Sequence, residues 1–446
     1  MLQPFSPDPA YLTVMADGTI KQISPFSGTE VWTVPGRGNR PLGIQVAAPQ
    51  ELDPAQHGRY CAFCEHRYLE TPPEKSRVIL TDKGKWETLY RTRAEDLFAQ
   101  VAQFRRIPNL FEILSYDYWH LNYGYELPLR IAERKQAYLD SDAGLAHVMA
   151  VVSSKLRAAG KTAEQIERMS MHERLGYASG FFGGGHDLIV ARRHFVDGAT
   201  TNTQLASSGT MTPEEHFQFT NFTVGAVTSI YEVNRYARYV AVFQNWLKPA
   251  GASFDHLHKQ LVAIDEHGVQ YELALRRLRA NPNTFNEDAV NYASYHNLTI
   301  AENDHAVAFA GWGHRYPTIE IHSKSEHSDP WAHEPEELRA MSNLIHAIHA
   351  ATGPDVPTNE EWHYRPIDVD VAMPWRVMMK WRVSTLAGFE GATKIYLNTI
   401  GPEAIRDRVV PRLEDLRAEG RIAADLRIAT ECECRPNPLR YNKAAH

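Results

Sequence analysis

The chain has 446 residues, 43% of them hydrophobic, 10% aromatic and 23% charged, with a formal charge of −7 and a pI near 6.3. That composition excludes intrinsic disorder, coiled coil and fibre, and the length allows more than one core. The acidic balance supplies no bulk positive field for nucleic acid or an anionic membrane, so any anionic partner must be held by a local site.

Met1 to Ile20 lacks a basic stretch followed by an apolar run, and no uninterrupted apolar stretch reaches the roughly 18 residues needed to span a bilayer. A soluble, cytoplasmic protein with no membrane partner is therefore expected. The four cysteines sit as Cys61/Cys64 and Cys432/Cys434. They are too few and too locally paired for a secreted disulfide framework, which leaves metal ligation or plain thiols.

Residues 1–110 are rich in Pro, Gly and short β-branched runs such as Tyr11–Met15 and Val31–Val34, a pattern of strands and binding loops. Residues 122–180 change character. Leu145, Val148, Met149, Val152 and Leu156 recur at helical spacing in Ala-, Glu-, Lys- and Arg-rich text, so a helical insertion is expected there. Phe181 to Gly185 is a glycine run without a P-loop pattern and reads as a hinge or a close backbone approach. His186–Val190 is a strand candidate. A helix follows over 212–232, opened by Thr-Pro-Glu-Glu, and then a strand over 238–244. A second cycle has strands at 306–310 and 318–321, a helix from His-Glu-Pro-Glu-Glu (333–337) to about Ala351, and a strand at 375–383. Two β-β-α-β units in tandem suggest an internal duplication.

The densest polar chemistry lies between Asn245 and Leu261. His256, His258 and Gln260 alternate, which in a strand sets all three on one face. The small-residue turn Gly251-Ala-Ser253 ahead of them lets backbone N–H groups and a hydroxyl approach a phosphate closely. A neutral imidazole attacks phosphorus and leaves again readily, so a histidine beside phosphate donors suits two-step group transfer. Cys61-Ala-Phe-Cys64 has zinc-knuckle spacing but needs two further ligands, for which His194 and His256 are candidates; a redox role is the alternative, without the βαβ context it would need. Cys432 and Cys434 read as spare thiols.

Taken together, these segments resemble the galactose-1-phosphate uridylyltransferase branch of the histidine triad (HIT) superfamily. Ser24-Pro-Phe-Ser-Gly28 followed by Pro35-Gly-Arg37-Gly-Asn-Arg40-Pro41 is similar to that family's opening, and Cys61-Ala-Phe-Cys64 with Thr71-Pro-Pro-Glu74 to its knuckle. Pro108-Asn109-Leu-Phe111, Gly185-His186 with His194, and Ala387-Gly-Phe-Glu390 with Tyr396-Leu-Asn398 and Pro402-Glu403 match further stretches. Asn245, Ser253, His256, His258 and Gln260 match the active-site string without a gap.

The resemblance implies an α+β fold of tandem duplicated HIT-like units, antiparallel sheets flanked by helices, with a helical insertion. An N-terminal catalytic half with the zinc knuckle would span 1–264, with the insertion at about 122–180, and a degenerate half 265–446. It implies a nucleotidyltransferase or nucleotide-sugar phosphorylase. His258 would be the nucleophile, with Gln260, Ser253 and Asn245 donating to the α-phosphate oxygens and Gly251 in the phosphate turn. Arg37, Arg40 and Asn109 would grip the nucleotide, and Cys61, Cys64, His194 and His256 would bind a structural Zn²⁺. The implied partners are a nucleotide or nucleotide sugar, a phosphorylated acceptor and a second copy of the chain as a homodimer.

Leu257 and Lys259 depart from the family string, and Lys259 is expected to add a cation beside the nucleophile. Pro374-Trp375-Arg376 replaces a further His-Trp-His, so no second metal site is expected there. Ser384 and Phe389 stand where the true uridylyltransferases carry lysine and tyrosine, so the galactose-specific contacts are not carried over. A hydrolase, in which water takes the acceptor's place, and a catalytically decayed zinc-containing nucleotide-binding protein are the alternatives.

Overall fold

The computed structural model describes residues 10–36 and 48–442, so the expected nucleotide contacts Arg37 and Arg40 lie outside the described residues. A small sheet is built from β1 (Leu12–Val14), β2 (Ile20–Ile23), β3 (Glu30–Thr33) and β15 (Ile395–Asn398), with β15 running parallel to β3. Among the described residues the large sheet has twelve strands. They are β4 (Ser76–Leu80), β5 (Trp86–Tyr90), β6 (Ala102–Pro108), β7 (His186–Ala191), β8 (Tyr239–Trp246), β9 (His258–Ile264), β10 (Thr299–Glu302), β11 (Ala306–Gly311), β12 (Thr318–Ser323), β13 (Thr358–His363), β14 (Arg376–Trp381) and β16 (Arg427–Ile428).

Their order is β16-β10-β11-β12-β14-β13-β8-β9-β7-β6-β4-β5, antiparallel throughout. The central run is a palindrome about the β13–β8 pair, in which β6-β7-β9-β8 on one side answers β11-β12-β14-β13 on the other. Each unit also has its long helix after the second strand: α7 (Pro213–Val233) in the first and, beyond the connecting α8 (Val269–Ala280) and α9 (Tyr292–Tyr295), α10 (Pro335–Thr352) in the second. The repeat unit is thus β-β-α-β-β, one strand longer than the sequence pattern suggests, and the two units share one continuous sheet.

Local chemistry explains the helix starts. Thr212 accepts from the Glu215 N–H at 3.1 Å while Glu215 accepts from the Thr212 N–H at 2.9 Å, with Pro213 in the first turn. Six helices fill the insertion: α1 (Tyr116–Tyr123), α2 (Leu129–Leu139), α3 (Asp142–Ala158), α4 (Ala163–Arg168), α5 (Met171–Gly176) and α6 (Ser179–Gly183). They bury their own apolar cluster, including Val148, Val152, Leu156, Phe181 and Phe182. None of the helices among the described residues is long and apolar enough to cross a membrane.

Helices α7 and α10 pack against one face of the large sheet. Phe104 of β6 stacks on Phe219 of α7 at 5.1 Å, and His216 of α7 meets Ser342 of α10 at 2.7 Å. The opposite face of the first unit carries His258 and the small apolar group Phe63, Ile107, Leu188 and Val190. Residues 10–36 cross to the second unit, where Phe26 stacks on Phe285 at 4.3 Å and Tyr11 donates to Asp288 at 3.0 Å. Gly313 (φ +66°) allows this crossing, since a Cβ there would overlap the Ser24 backbone.

Candidate functional site

Antiparallel pairing sets Val190 opposite His258 and Leu188 opposite Gln260, while Phe243 of β8 faces Gln260 from the other side. Carried two residues on, the β8–β9 register brings Asn245 across from His258. Strand alternation then makes one row of His258, Gln260, Asn245 and His186 on the face away from the long helices.

His258 is buried and packs edge-on to Phe63, with centroids 5.3 Å apart. Its Nδ1 lies 2.7 Å from the carbonyl oxygen of His256. A carbonyl only accepts, so Nδ1 carries the proton and Nε2 presents its lone pair. Burial pushes the imidazolium pKa down to about 4 despite that hydrogen bond, so the ring is neutral.

The neighbouring amides are oriented by what they already bind. His186 Nδ1 accepts from the Ile113 N–H at 3.1 Å, so its Nε2 bears the proton and donates to Gln260 Oε1 at 3.1 Å. Gln260 thereby turns its NH₂ outward. Asn109 Oδ1 accepts from the Phe111 N–H at 2.9 Å, and its Nδ2 stands 3.0 Å from His186 Nε2. Asn245 Oδ1 accepts from Asn359 Nδ2 at 2.7 Å, which commits the oxygen and leaves the NH₂ as a donor. Ser253 is exposed on the loop that enters β9, and Gly251 (φ +90°) turns that loop after the short helix Lys248–Ala250. Both therefore sit before β9 and not on it.

The four expected metal ligands converge. Cys61 Sγ and Cys64 Sγ are 3.8 Å apart, Cys61 Sγ is 3.4 Å from His256 Nδ1, and Cys64 Sγ is 3.6 Å from His194 Nδ1 and 3.7 Å from His256 Nδ1. All four ligand atoms lie within 4.8 Å of one another, the spacing of a metal site. His256 Nε2 is 2.7 Å from the Ala191 carbonyl, which fixes its proton there and frees Nδ1 for the cluster. The Cys64 thiol is pushed down by its hydrogen bond with Cys61 and then by the two imidazoles, so this sulfur is the readier thiolate. His256 thus serves the cluster while its main-chain carbonyl holds His258.

Lys259 does not stand beside His258. Alternation turns it to the helix face, where its Nζ pairs with Glu360 at 2.5 Å in full burial, and Glu360 also accepts from His349 at 2.7 Å. His186 was missed as a site residue on sequence grounds. Its sequence signal was the Gly185-His186 match at the head of a strand candidate, whereas its place beside β9 comes from the pairing. In the second unit, the position matching His258 is Arg376, paired with His322 as His258 is with Val190. Its guanidinium lies over Phe285 at 4.2 Å, so this half presents a stacked cation where the first presents an imidazole. Cys432 donates to the Arg427 carbonyl at 3.4 Å, and Cys434 is exposed.

A family model described as a domain of unknown function (DUF4921) matches residues 15–441. An ADP-glucose phosphorylase of Arabidopsis thaliana is 27% identical over 178 residues, 37% of this chain and 50% of that protein, so the chain spans about half the length of this relative. Among solved structures, an ADP-glucose phosphorylase from Arabidopsis thaliana with bound ADP-glucose is similar with a TM-score of 0.56 at 18% identity, covering 88% of this chain and 98% of that one. A galt-like protein from the same plant gives 0.54 at 18% identity, covering 87% and 97%. These likenesses establish the galactose-1-phosphate uridylyltransferase-like α+β fold that the motifs implied.

Proposed function

The chain belongs to the DUF4921 family, and within its uridylyltransferase-like fold we propose that it is a nucleotidyltransferase of the nucleotide-sugar phosphorylase type, working through a nucleotidyl-histidine at His258. The observation that carries this reading is the neutral His258, with Nδ1 held by the His256 carbonyl at 2.7 Å and Nε2 free to attack.

In the first half-reaction the Nε2 lone pair attacks the α-phosphorus of a nucleotide sugar. A P–N bond forms, and the bond to the bridging oxygen breaks, with its electron pair leaving on the sugar 1-phosphate. In the second, an oxygen of the acceptor phosphate attacks the same phosphorus and the P–N electron pair returns to Nε2. The NH₂ groups of Gln260 and Asn245 donate to the phosphoryl oxygens where charge builds. Phe63 and the partly exposed Phe254, with centroids 4.6 Å apart, offer an aromatic wall for the base. The names of the similar plant proteins favour an ADP-sugar as donor and inorganic phosphate as acceptor.

We assign Zn²⁺ to the cluster of Cys61, Cys64, His194 and His256. A tetrahedral ion with metal–sulfur bonds of about 2.3 Å and metal–nitrogen bonds of about 2.0 Å has sulfur–sulfur and sulfur–nitrogen edges of roughly 3.5 to 3.8 Å. The Cys61–Cys64, Cys61–His256, Cys64–His194 and Cys64–His256 separations of 3.4 to 3.8 Å fit those edges. Such an ion would be structural, tying the knuckle to the segment that enters β9.

The test is the intact mass of wild-type and His258→Ala protein after incubation with ADP-, UDP- and GDP-sugars without acceptor. A wild-type adduct equal to one nucleoside monophosphate, absent from the variant, supports the mechanism and names the base. Free monophosphate without an adduct indicates hydrolysis. Unchanged nucleotide sugars would overturn the assignment as an enzyme.

A further inference from the structure

On the α7 side of the sheet, the face away from His258, lies a cavity of about 570 Å³. Its cations come from four separate segments: Lys75 before β4, Arg91 after β5, Arg106 on β6, and Arg130 and Arg134 on α2 of the insertion. Arg106 shares its face with Phe104, which stacks on α7, whereas Arg105 points to the other face and is held by Glu74. The cavity is therefore separated from the candidate active site by the sheet itself.

These five cations meet two carboxylates. Asp187, fully buried, binds both Lys75 at 2.6 Å and Arg106 at 2.7 Å, and Glu232 reaches Arg130 at 3.4 Å. Glu112, behind Gly184, is paired with Lys155 at 3.7 Å. The Glu74 carboxylate is taken by Arg77 and Arg105, so Arg134 reaches only its main-chain carbonyl. The Arg134 Nε is buried with no hydrogen-bond partner among the described residues. Burial, and then the charge of Arg106, push the Arg134 guanidinium down to about 10. In a chain whose net charge is −7, five cations drawn to one cavity against two carboxylates are a local construction, and a guanidinium held there without a carboxylate partner, as Arg134 is, is costly.

We infer that this cavity is a second, non-catalytic binding site for a phosphorylated small metabolite carrying at least two negative charges. Guanidinium groups offer planar forks that match phosphate oxygens, and here they converge from the core and the insertion at once. Thr228 and Ser229 of α7 and Asn234 just beyond it add neutral hydrogen-bonding groups on the opposite wall. The volume lies within the range of roughly 300–1,000 Å³ of small-molecule pockets, larger than a lone phosphate requires. The ligand would bridge α2 to the central sheet and give the insertion a binding role.

The experiment is calorimetric titration of the full chain with inorganic phosphate, glucose 1-phosphate and AMP, alongside thermal melts. Wild type, His258→Ala, Arg134→Gln and the surface double variant Arg91→Ser/Arg130→Ser are compared. Binding of a phosphate ester should survive His258→Ala and weaken at least tenfold in Arg134→Gln and in the double variant. Without ligand, Arg134→Gln should melt no lower than wild type, because an uncompensated charge is removed; a merely structural arginine would lower the melting temperature and leave binding unchanged. Should Arg134→Gln fail to fold, the double variant carries the test. Ester affinity unaltered by these changes, no binding at millimolar probe, or inorganic phosphate binding as tightly as the esters would overturn the inference.

Discussion

His186 Nε2 stands 3.1 Å from Gln260 Oε1, and because the Ile113 N–H occupies the other ring nitrogen, this contact decides which way the Gln260 amide faces. Gln260 can then act only as a donor toward the space beside His258. Gln260→Ala is expected to lower kcat by about 10²- to 10³-fold with KM within a few-fold, as for loss of one preorganised donor to a developing oxyanion. Steady-state kinetics with the donor identified by the adduct experiment measures this. A raised KM with kcat intact would refute a transition-state role.

The convergence of Cys61, Cys64, His194 and His256 ties segments 130 residues and more apart. Cys61→Ser should remove the bound metal and lower the melting temperature, since metal binding at such a site is folding energy. The exposed Cys434→Ser is the matched control, with both effects absent. Elemental analysis of the purified proteins and melting curves with and without chelator give the readout. Equal metal content in Cys61→Ser and wild type would disprove the ligand set.

Lys259 and Glu360 form an ion pair at the middle of the palindromic sheet, with both side chains sequestered from solvent. Removing one partner strands the other charge in the core. Glu360→Leu alone, and Lys259→Met alone, are each expected to destabilise the fold by about 3–5 kcal/mol, whereas Lys259→Met/Glu360→Leu together should lose far less. Chemical denaturation of the two singles and the double closes the cycle. Additive losses would show that the pair is not coupled.

Burial raises the Glu112 carboxyl to about 7, more than the opposing charges of Lys155 and Lys75 lower it. Between about pH 4.5 and 7 this carboxyl keeps its proton in the folded state while the unfolded chain has lost it, so folding stability falls as pH rises through that window and the full penalty is present above about 7. Glu112→Gln should therefore stabilise the protein at pH 8, by up to roughly 3 kcal/mol, and change little at pH 4.5. Melting temperatures across that window check the sign. A variant that gains most at low pH would contradict it.

The helices and strands that form were legible where the signal is local. The Thr-Pro-Glu-Glu start of α7 and the helical spacing of the insertion describe groups that meet within a turn or two, so spacing alone specifies them. The Cys-x-x-Cys and His-x-His-x-Gln strings are local in the same sense. Strand alternation also specifies that Lys259 faces away from His258, although adjacency along the chain suggests the opposite.

What only the tertiary structure decided is everything that depends on which strand lies beside which. The pairing of β13 with β8 joins the two units into one sheet, yet no spacing within the chain announces it, because backbone hydrogen bonds are the same for every pairing partner. The hydrogen bond from His186 to Gln260 spans 74 residues and follows from the β7–β9 register. The cation-lined cavity draws on residues 75, 91, 106, 130 and 134, each an ordinary charge in its own segment. By itself the sequence determined the local elements and the chemical vocabulary; long-range register and packing determined which of those groups share a site, since proximity there is set by the folded sheet and not by distance along the chain.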